Sequence, residues 1–422
     1  MNATVTIRRV QIANMWELIR ANKQKSIALL VLMAVCLMLL GFVIASAFGG
    51  LQAGFWGLII ATGVWLVLAV VSFSSGDQIL LAASHAQAVT HDVHPRLFNI
   101  VEEMRISAGL PVMPKIYIIN DPAPNAFAAG RSPETASVAV TAGLLAKMNR
   151  DELQGVIAHE ISHILHRDIL FVTVAGIMLG SIVLLSQVFL RGMLYGAGGS
   201  RRRYSGGGRG EGQAQAIMLL VAIVAAILAP IMAYLLYFAL SRRREYLADA
   251  GAARLTRYPE GLASALEKLA NDSAPQLAAA NKVTAPMYIV NPFKKEGMKL
   301  SDLTSTHPPI SERIRILRSM GHGASFKDYS QAFQAVTRHR SVVPATAVTS
   351  EDIAIRQASE PAEGKERMEK QMRQVGDIMR RVNQFLFLTC ACGLKLKIPP
   401  NYRGDKVTCP KCRRTLEIPP RS

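Results

Sequence analysis

Three stretches of this chain carry no charged residue: 26–76, 169–190 and 212–240. The chain has 422 residues, is 50% hydrophobic, and bears a formal net charge of +18. Apolar content so segregated from charge excludes an ordinary soluble enzyme and argues for a membrane protein. A bilayer-crossing helix needs about 20 apolar residues. The first stretch is long enough for two such helices, with a break expected at residues 48–54, where Gly49, Gly50 and Gly54 cluster. Four spans follow, at about 27–48, 55–74, 169–190 and 216–240. Pro230 falls inside the last, which membrane helices tolerate.

Ala45-Ser46-Ala47 resembles a signal-peptidase site. However, the apolar run before it exceeds an h-region of about 7–15 residues and follows a charged arm, so a retained anchor is expected. Arg8, Arg9, Arg20, Lys23 and Lys25 precede the first span, and the turn after it is uncharged. This bias puts residues 1–25 in the cytoplasm. Arg191, Arg201, Arg202, Arg203 and Arg209 lie between the third and fourth spans against Glu211 alone. Either the N-terminal bias dominates, or the 169–240 hairpin does not fully traverse the bilayer.

Within Leu153–His166, apolar residues recur at helical spacing around His159-Glu160-Ile161-Ser162-His163. Positions i and i+4 share one helix face, so both imidazoles reach one ion, and the glutamate between them is placed to act on a water. Hydrolytic zinc sites take three protein ligands and keep one position open. The third must come from another helix. Glu245 and Asp249 share a face at residues 241–253: Glu245 completes a His-His-Glu set, and Asp249 is a candidate acceptor for a ligand imidazole N–H.

These residues carry a resemblance. His159–His163 with Arg167-Asp168, then Ser241–Asp249, together with Pro124–Gly130 and Thr306–Arg313, resemble the HtpX family of membrane zinc proteases, relatives of the CAAX prenyl endoproteases. The resemblance covers roughly residues 5–320. It implies that His159, His163 and Glu245 bind zinc and that Glu160 is the general base. It also implies that Asn125, Ala126 and Phe127 begin an edge strand that pairs with substrate, and that His307 steadies the transition state or braces the active-site wall.

The expected fold is a mainly α, multi-pass membrane protein. It carries an α+β zincin-type protease domain with a small sheet, split into halves 75–168 and 241–325 by the second membrane hairpin. Residues 95–109 read as a helix, and 115–119 and 136–141 as strands. His85, His91 and His94 read as structural or surface residues rather than a second metal site. Residues 326–385 read as a linker plus a charged helix. No internal repeat is evident.

Residues 386–422 form a further unit. Cys390, Cys392, Cys409 and Cys412 make two close pairs, as in a four-thiolate zinc ribbon, with Cys36 left as packing in the first span. A segment this short has too little core to fold without a staple. Two disulfides are the alternative, disfavoured in a reducing cytoplasm. The C-x-C spacing departs from the commoner C-x-x-C.

Two zinc ions are therefore expected, one catalytic and one structural. The function expected is cleavage of misfolded or damaged membrane proteins at the cytoplasmic face of the inner (plasma) membrane. Its partners are the lipid bilayer, membrane-protein substrates and a protein partner for the ribbon. The charge suits lipid headgroups as well as nucleic acid, but no aromatic-basic RNA motif is present. The alternative is a membrane-tethered binding or regulatory module working through the ribbon.

Overall fold

The computed structural model describes residues 2–196, 209–272, 289, 308–321, 323–343, 348, 352–359, 375–377, 380, 385–402 and 404–418. Helix α1 (Asn2–Ala83) is two helices joined at Gly49 and Gly50. Gly50 takes φ 68°, a left-handed value that glycine adopts without strain. The halves then fold back on each other. A Cβ on Gly57 would lie 2.4 Å from Gly41 O, so only glycine permits that approach. Phe42 meets Phe55 edge-on at 5.8 Å. The outward face is apolar, with Phe55, Trp56, Ile60 and Val67 all exposed. An apolar surface of that extent suits lipid rather than water. Leu30–Ala83 is long and apolar enough to cross a membrane, and Met178–Met193 and Leu219–Ala233 are shorter apolar helices among the described residues.

Strand β1 (Ala86–Ala88) leads to helix α2 (Pro95–Ala108), and then to β2 (Lys115–Ile119), β3 (Ala126–Ala129) and β4 (Ser137–Thr141). The sheet order is β1-β2-β4-β3, so β3 is an edge, as expected for the strand beginning near Asn125. β2 and β4 are parallel, whereas β3 runs antiparallel to β4 with Ala126 opposite Val140. Alternation assigns the two faces. Ile116, Ile118, Ala126, Ala128, Val138 and Val140 join the main core, while Phe127, Ala129, Ala139 and Ile119 pack with Leu81 on the other side.

A short helix α3 (Ala142–Lys147) precedes α4 (Arg150–Leu165), which carries the two histidines. α4 starts with a capping box. Asn149 Oδ1 accepts the Glu152 N–H at 2.8 Å, and Glu152 Oε2 accepts the Asn149 N–H at 2.9 Å. It ends at His166, where Arg167 turns to φ 57°. Helix α5 (Asp168–Gly196) and helix α6 (Arg209–Thr256) follow, and α6 passes through Pro230 unbroken. Helices α7 (Pro259–Ala270), α8 (Ile310–Arg318) and α9 (Phe326–Thr337) complete the main core. His94 is buried and caps α2, its Nδ1 accepting the Leu97 N–H at 3.1 Å, while His85 and His91 are exposed. The charged helix expected near 365–384 falls mostly outside the described residues.

The tail forms two hairpins, β5 (Leu386–Thr389) with β6 (Lys395–Ile398), and β7 (Lys406–Thr408) with β8 (Thr415–Glu417). Each turn is a knuckle. Gly393, at φ 82°, donates its N–H to Cys390 O at 2.8 Å, and Arg413 donates its N–H to Cys409 O at 2.8 Å.

Candidate active site

Helices α4 and α6 pack against each other in the core. Gly251 makes the approach close, since a Cβ there would stand 2.5 Å from Ser162 Oγ. That approach brings Glu245 to the imidazole pair. His159 Nε2 and His163 Nε2 are 3.2 Å apart. Glu245 Oε2 lies 3.5 Å from His159 Nε2, and Glu245 Oε1 lies 3.5 Å from His163 Nε2. Tetrahedral zinc with bonds of about 2.0–2.1 Å sets its ligand atoms about 3.3 Å apart, close to the 3.2 Å between the imidazole nitrogens and the 3.5 Å from each to a Glu245 oxygen. The donor set fits zinc on this geometry.

The far ring nitrogens are held from behind. His159 Nδ1 is 3.0 Å from Asp249 Oδ1, and His163 Nδ1 is 3.3 Å from Asp168 Oδ2. The Asp168 hydrogen bond favours the His163 tautomer that leaves Nε2 for a metal, and Asp249 lies in ion-pair range of the His159 ring. Asp249 is fully buried and gripped by Arg313, whose Nε and Nη2 donate to its two oxygens at 2.8 and 2.7 Å. Arg313 Nη1 also lies 3.4 Å from Glu245 Oε2, and Arg244 Nε lies 3.5 Å from Asp168.

Glu160, Glu245, Asp249 and Asp168 gather around the imidazoles, with Arg313 and Arg244 among them. Two imidazoles and a carboxylate in such surroundings suit a divalent cation. Burial works against protonation of His163, but Asp168 and Glu245 outweigh it and lift the ring to about 10. His159 is raised in the same way: burial opposes, and Asp249 and Glu245 prevail. Burial and the Arg313 guanidinium act oppositely on Asp249, and the guanidinium with its hydrogen bonds holds the carboxyl below its usual range.

Glu160 is buried, and burial pushes its carboxyl above the usual range. The charges of His159 and His163 and the Ala128 backbone of edge strand β3 oppose that rise. Asn125, Ala126 and Phe127 are all buried. Asn125 O accepts the Thr141 N–H at 2.9 Å, and Ala126 O accepts the Ile289 N–H at 3.1 Å. The Phe127 side chain turns away from α4 toward Leu81. His307 lies outside the described residues.

The tail brings together a second set. Cys390 Sγ and Cys412 Sγ are 3.4 Å apart, and Cys392 Sγ and Cys409 Sγ are 3.6 Å apart. All four sulfurs lie within 4.8 Å of one another. Zn–S bonds of about 2.3 Å give sulfur edges of about 3.8 Å at the tetrahedral angle, so this donor set also fits zinc.

Sequence reasoning did not assign Arg313, Asp168, Arg244 or the Ala128 amide. Asp168 sits past the α4 cap, where helical periodicity has ended, and Arg313 is 64 positions from Asp249. The only available signal was their place inside the motif segments.

A His-Glu-x-x-His helix, a carboxylate from a neighbouring helix and an edge strand above them define a metalloendopeptidase. The profile of peptidase family M48 matches residues 91–321, and this chain belongs to that family. A "Protease HtpX homolog" of Dictyoglomus thermophilum is 46% identical over 306 residues, covering 72% of this chain and 95% of the relative. One from Caldanaerobacter subterraneus is 44% identical over 309 residues, covering 72% and 98%. The chain is accordingly similar to membrane metalloproteases of the HtpX type. The crystal structure of S. mikatae Ste24p aligns at a TM-score of 0.38 and 17% identity, over 71% of this chain and 66% of that one.

Proposed function

We propose that this chain is a multi-pass, zinc-dependent endopeptidase of the inner (plasma) membrane that cuts cytoplasmic segments of misfolded or damaged membrane proteins. The observation that carries the reading is the convergence of His159, His163 and Glu245 ligand atoms within 4.8 Å of one another, with Glu160 beside them. Zinc held there would supply Lewis acidity toward the scissile carbonyl and acidify a water. Glu160, its carboxyl raised by burial, takes the proton of the attacking water and delivers it to the leaving amine nitrogen. Asp249 and Asp168 keep the imidazoles oriented throughout. The edge strand that Asn125, Ala126 and Phe127 begin would align an extended peptide along its outer side, a mode that reads main chain more than side chains. Such tolerance suits substrates that share damage rather than sequence.

The four described or expected spans and the basic arm before residue 26 support a topology with the zinc site near the cytoplasmic rim of the bilayer. The four cysteines of the tail support a second, structural zinc and a ribbon for a protein partner. The complete ligand set and its buried base favour an enzyme over a membrane-tethered binding module.

The test uses Glu160→Ala and a chain lacking residues 386–422. Glu160→Ala is expected to hold wild-type zinc and lose casein cleavage by at least about a hundredfold. Zinc per chain is expected to be two in the full chain and one in the truncated chain. Undiminished cleavage by purified Glu160→Ala would remove the general-base role.

A further inference from the structure

The family profile ends at residue 321, yet residues 352–359 return to the two ligand-bearing helices. Ala354 bridges to Gly323, and Ile353 O accepts the Ala324 N–H at 2.8 Å. Arg257, just past the end of α6, donates from Nε to Ala354 O at 3.1 Å, and the Arg356 N–H donates to Arg257 O at 2.9 Å. This backbone docking delivers the Arg356 guanidinium to the seam between α4 and α6.

All five guanidinium N–H groups find an acceptor there. Nε donates to Thr256 O, in the last residue of α6, at 3.0 Å. Nη2 donates to Asp151 Oδ1 at 2.7 Å and Gln154 Oε1 at 2.6 Å, both in the opening turns of α4. Nη1 donates to Gln357 O at 2.8 Å and Ser359 Oγ at 2.9 Å. The other Asp151 oxygen accepts the Ser359 N–H at 2.7 Å, and the guanidinium lies 4.8 Å over the Tyr258 ring. A planar fork this fully engaged holds fixed distances, which a flexible ammonium does not.

We propose that Arg356 is a positioning residue of the metal centre, which sets the spacing of the two ligand helices from a segment beyond the family profile. The inference rests on the zinc reading above. Asp151 lies two turns before His159 on α4, and Thr256 lies three turns after Glu245 on α6, at 3.6 residues per turn. The two helices are therefore pinned by Arg356 where the end of α6 meets the start of α4, and the ligands sit further along both helices. Splay at the tie is transmitted along stiff helices to the gap between the imidazoles and the third ligand. The segment after the family core is by this account part of the protease rather than a passive linker to the ribbon.

The experiment uses the full chain in detergent with Arg356→Ala, Arg356→Lys and His159→Ala. The control is Arg318→Ala, which breaks the tie between α8 and the Glu260 and Glu267 carboxylates of α7, neither helix carrying a ligand. Zinc release to a chelator, kcat and KM are measured for each. Arg356→Ala is expected to release one zinc about tenfold faster and to lower kcat about tenfold with KM within about twofold. Arg318→Ala is expected to match the wild type in both. Arg356→Lys is expected to fall between wild type and Arg356→Ala, and it carries the test if the alanine variant does not fold. Zinc release and kcat at wild-type values in a folded Arg356 variant that has merely lost thermal stability would overturn the proposal. His159→Ala should hold one zinc fewer than wild type. If it holds the same number, the zinc reading itself is wrong. If it holds one fewer while the Arg356 variants behave as wild type, only the positioning role fails.

Discussion

Arg313→Met should be among the most damaging single changes outside the ligands. Arg313 and Asp249 are both fully buried and joined by two bonds of 2.7 and 2.8 Å. Removing one partner of a buried pair leaves an uncompensated charge and costs about 3–5 kcal/mol. Here the cost should sit at the upper end, because Arg313 also faces Glu245 at 3.4 Å and donates to Ile289 O at 3.3 Å. Its loss leaves Asp249 and Glu245 as neighbouring anions with no guanidinium between them. Asp249→Asn should cost a similar amount, because it strands the guanidinium. The double variant should cost less than the sum by about 2–3 kcal/mol, the coupling expected of contacting residues. The assay is denaturant unfolding in detergent at fixed excess zinc, followed by pulse proteolysis and analysed as a double-mutant cycle. Single losses below about 1 kcal/mol with an additive double variant would refute the claim that this pair braces the site.

Two further outcomes follow from the core. His94 is held neutral by burial down to about 4, against 6.5 when unfolded. Between those values the unfolded chain binds the extra proton, so stability is complete above about pH 6.5 and falls by about 3 kcal/mol on acidification toward pH 4. His94→Asn keeps a capping acceptor and should flatten that part of the stability–pH curve; an unchanged slope would exclude His94 as its source. Gly155 of α4 lies against α7, where a Cβ would stand 2.6 Å from Leu262 N. Gly155→Ala should therefore cost about 1–3 kcal/mol despite improving helix propensity, and a thermal midpoint at or above wild type would contradict the packing.

Much of the architecture was readable because it depends on local pattern. The Gly49–Gly50 break lies within the expected 48–54 gap, because a charge-free run of that length cannot be one span. α2, β2 and β4 lie within a residue or two of expectation, and β3 is the edge strand that the family resemblance implied. α3, β1, β5 and β7 were not foreseen, being too short for periodicity to mark. α7 and α8 were passed over inside a segment read only as the second half of the protease, and α9 fell in the 326–385 stretch read as a linker, although Phe326, Tyr329, Ala332 and Phe333 pack it into the main core.

The chain alone determined the reaction. His159, Glu160 and His163 are committed by the turn of a single helix, and Glu245 and Asp249 share a face of another, so their chemistry is written at spacings of three and four. What holds that chemistry in place is decided only in three dimensions. The grip of Arg313 on Asp249, the backing of His163 by Asp168, and the Arg356 tie between α4 and α6 join residues as far apart as 205 positions. Such pairs lie beyond helical or strand periodicity, because the partners belong to different elements and meet only once the core is packed.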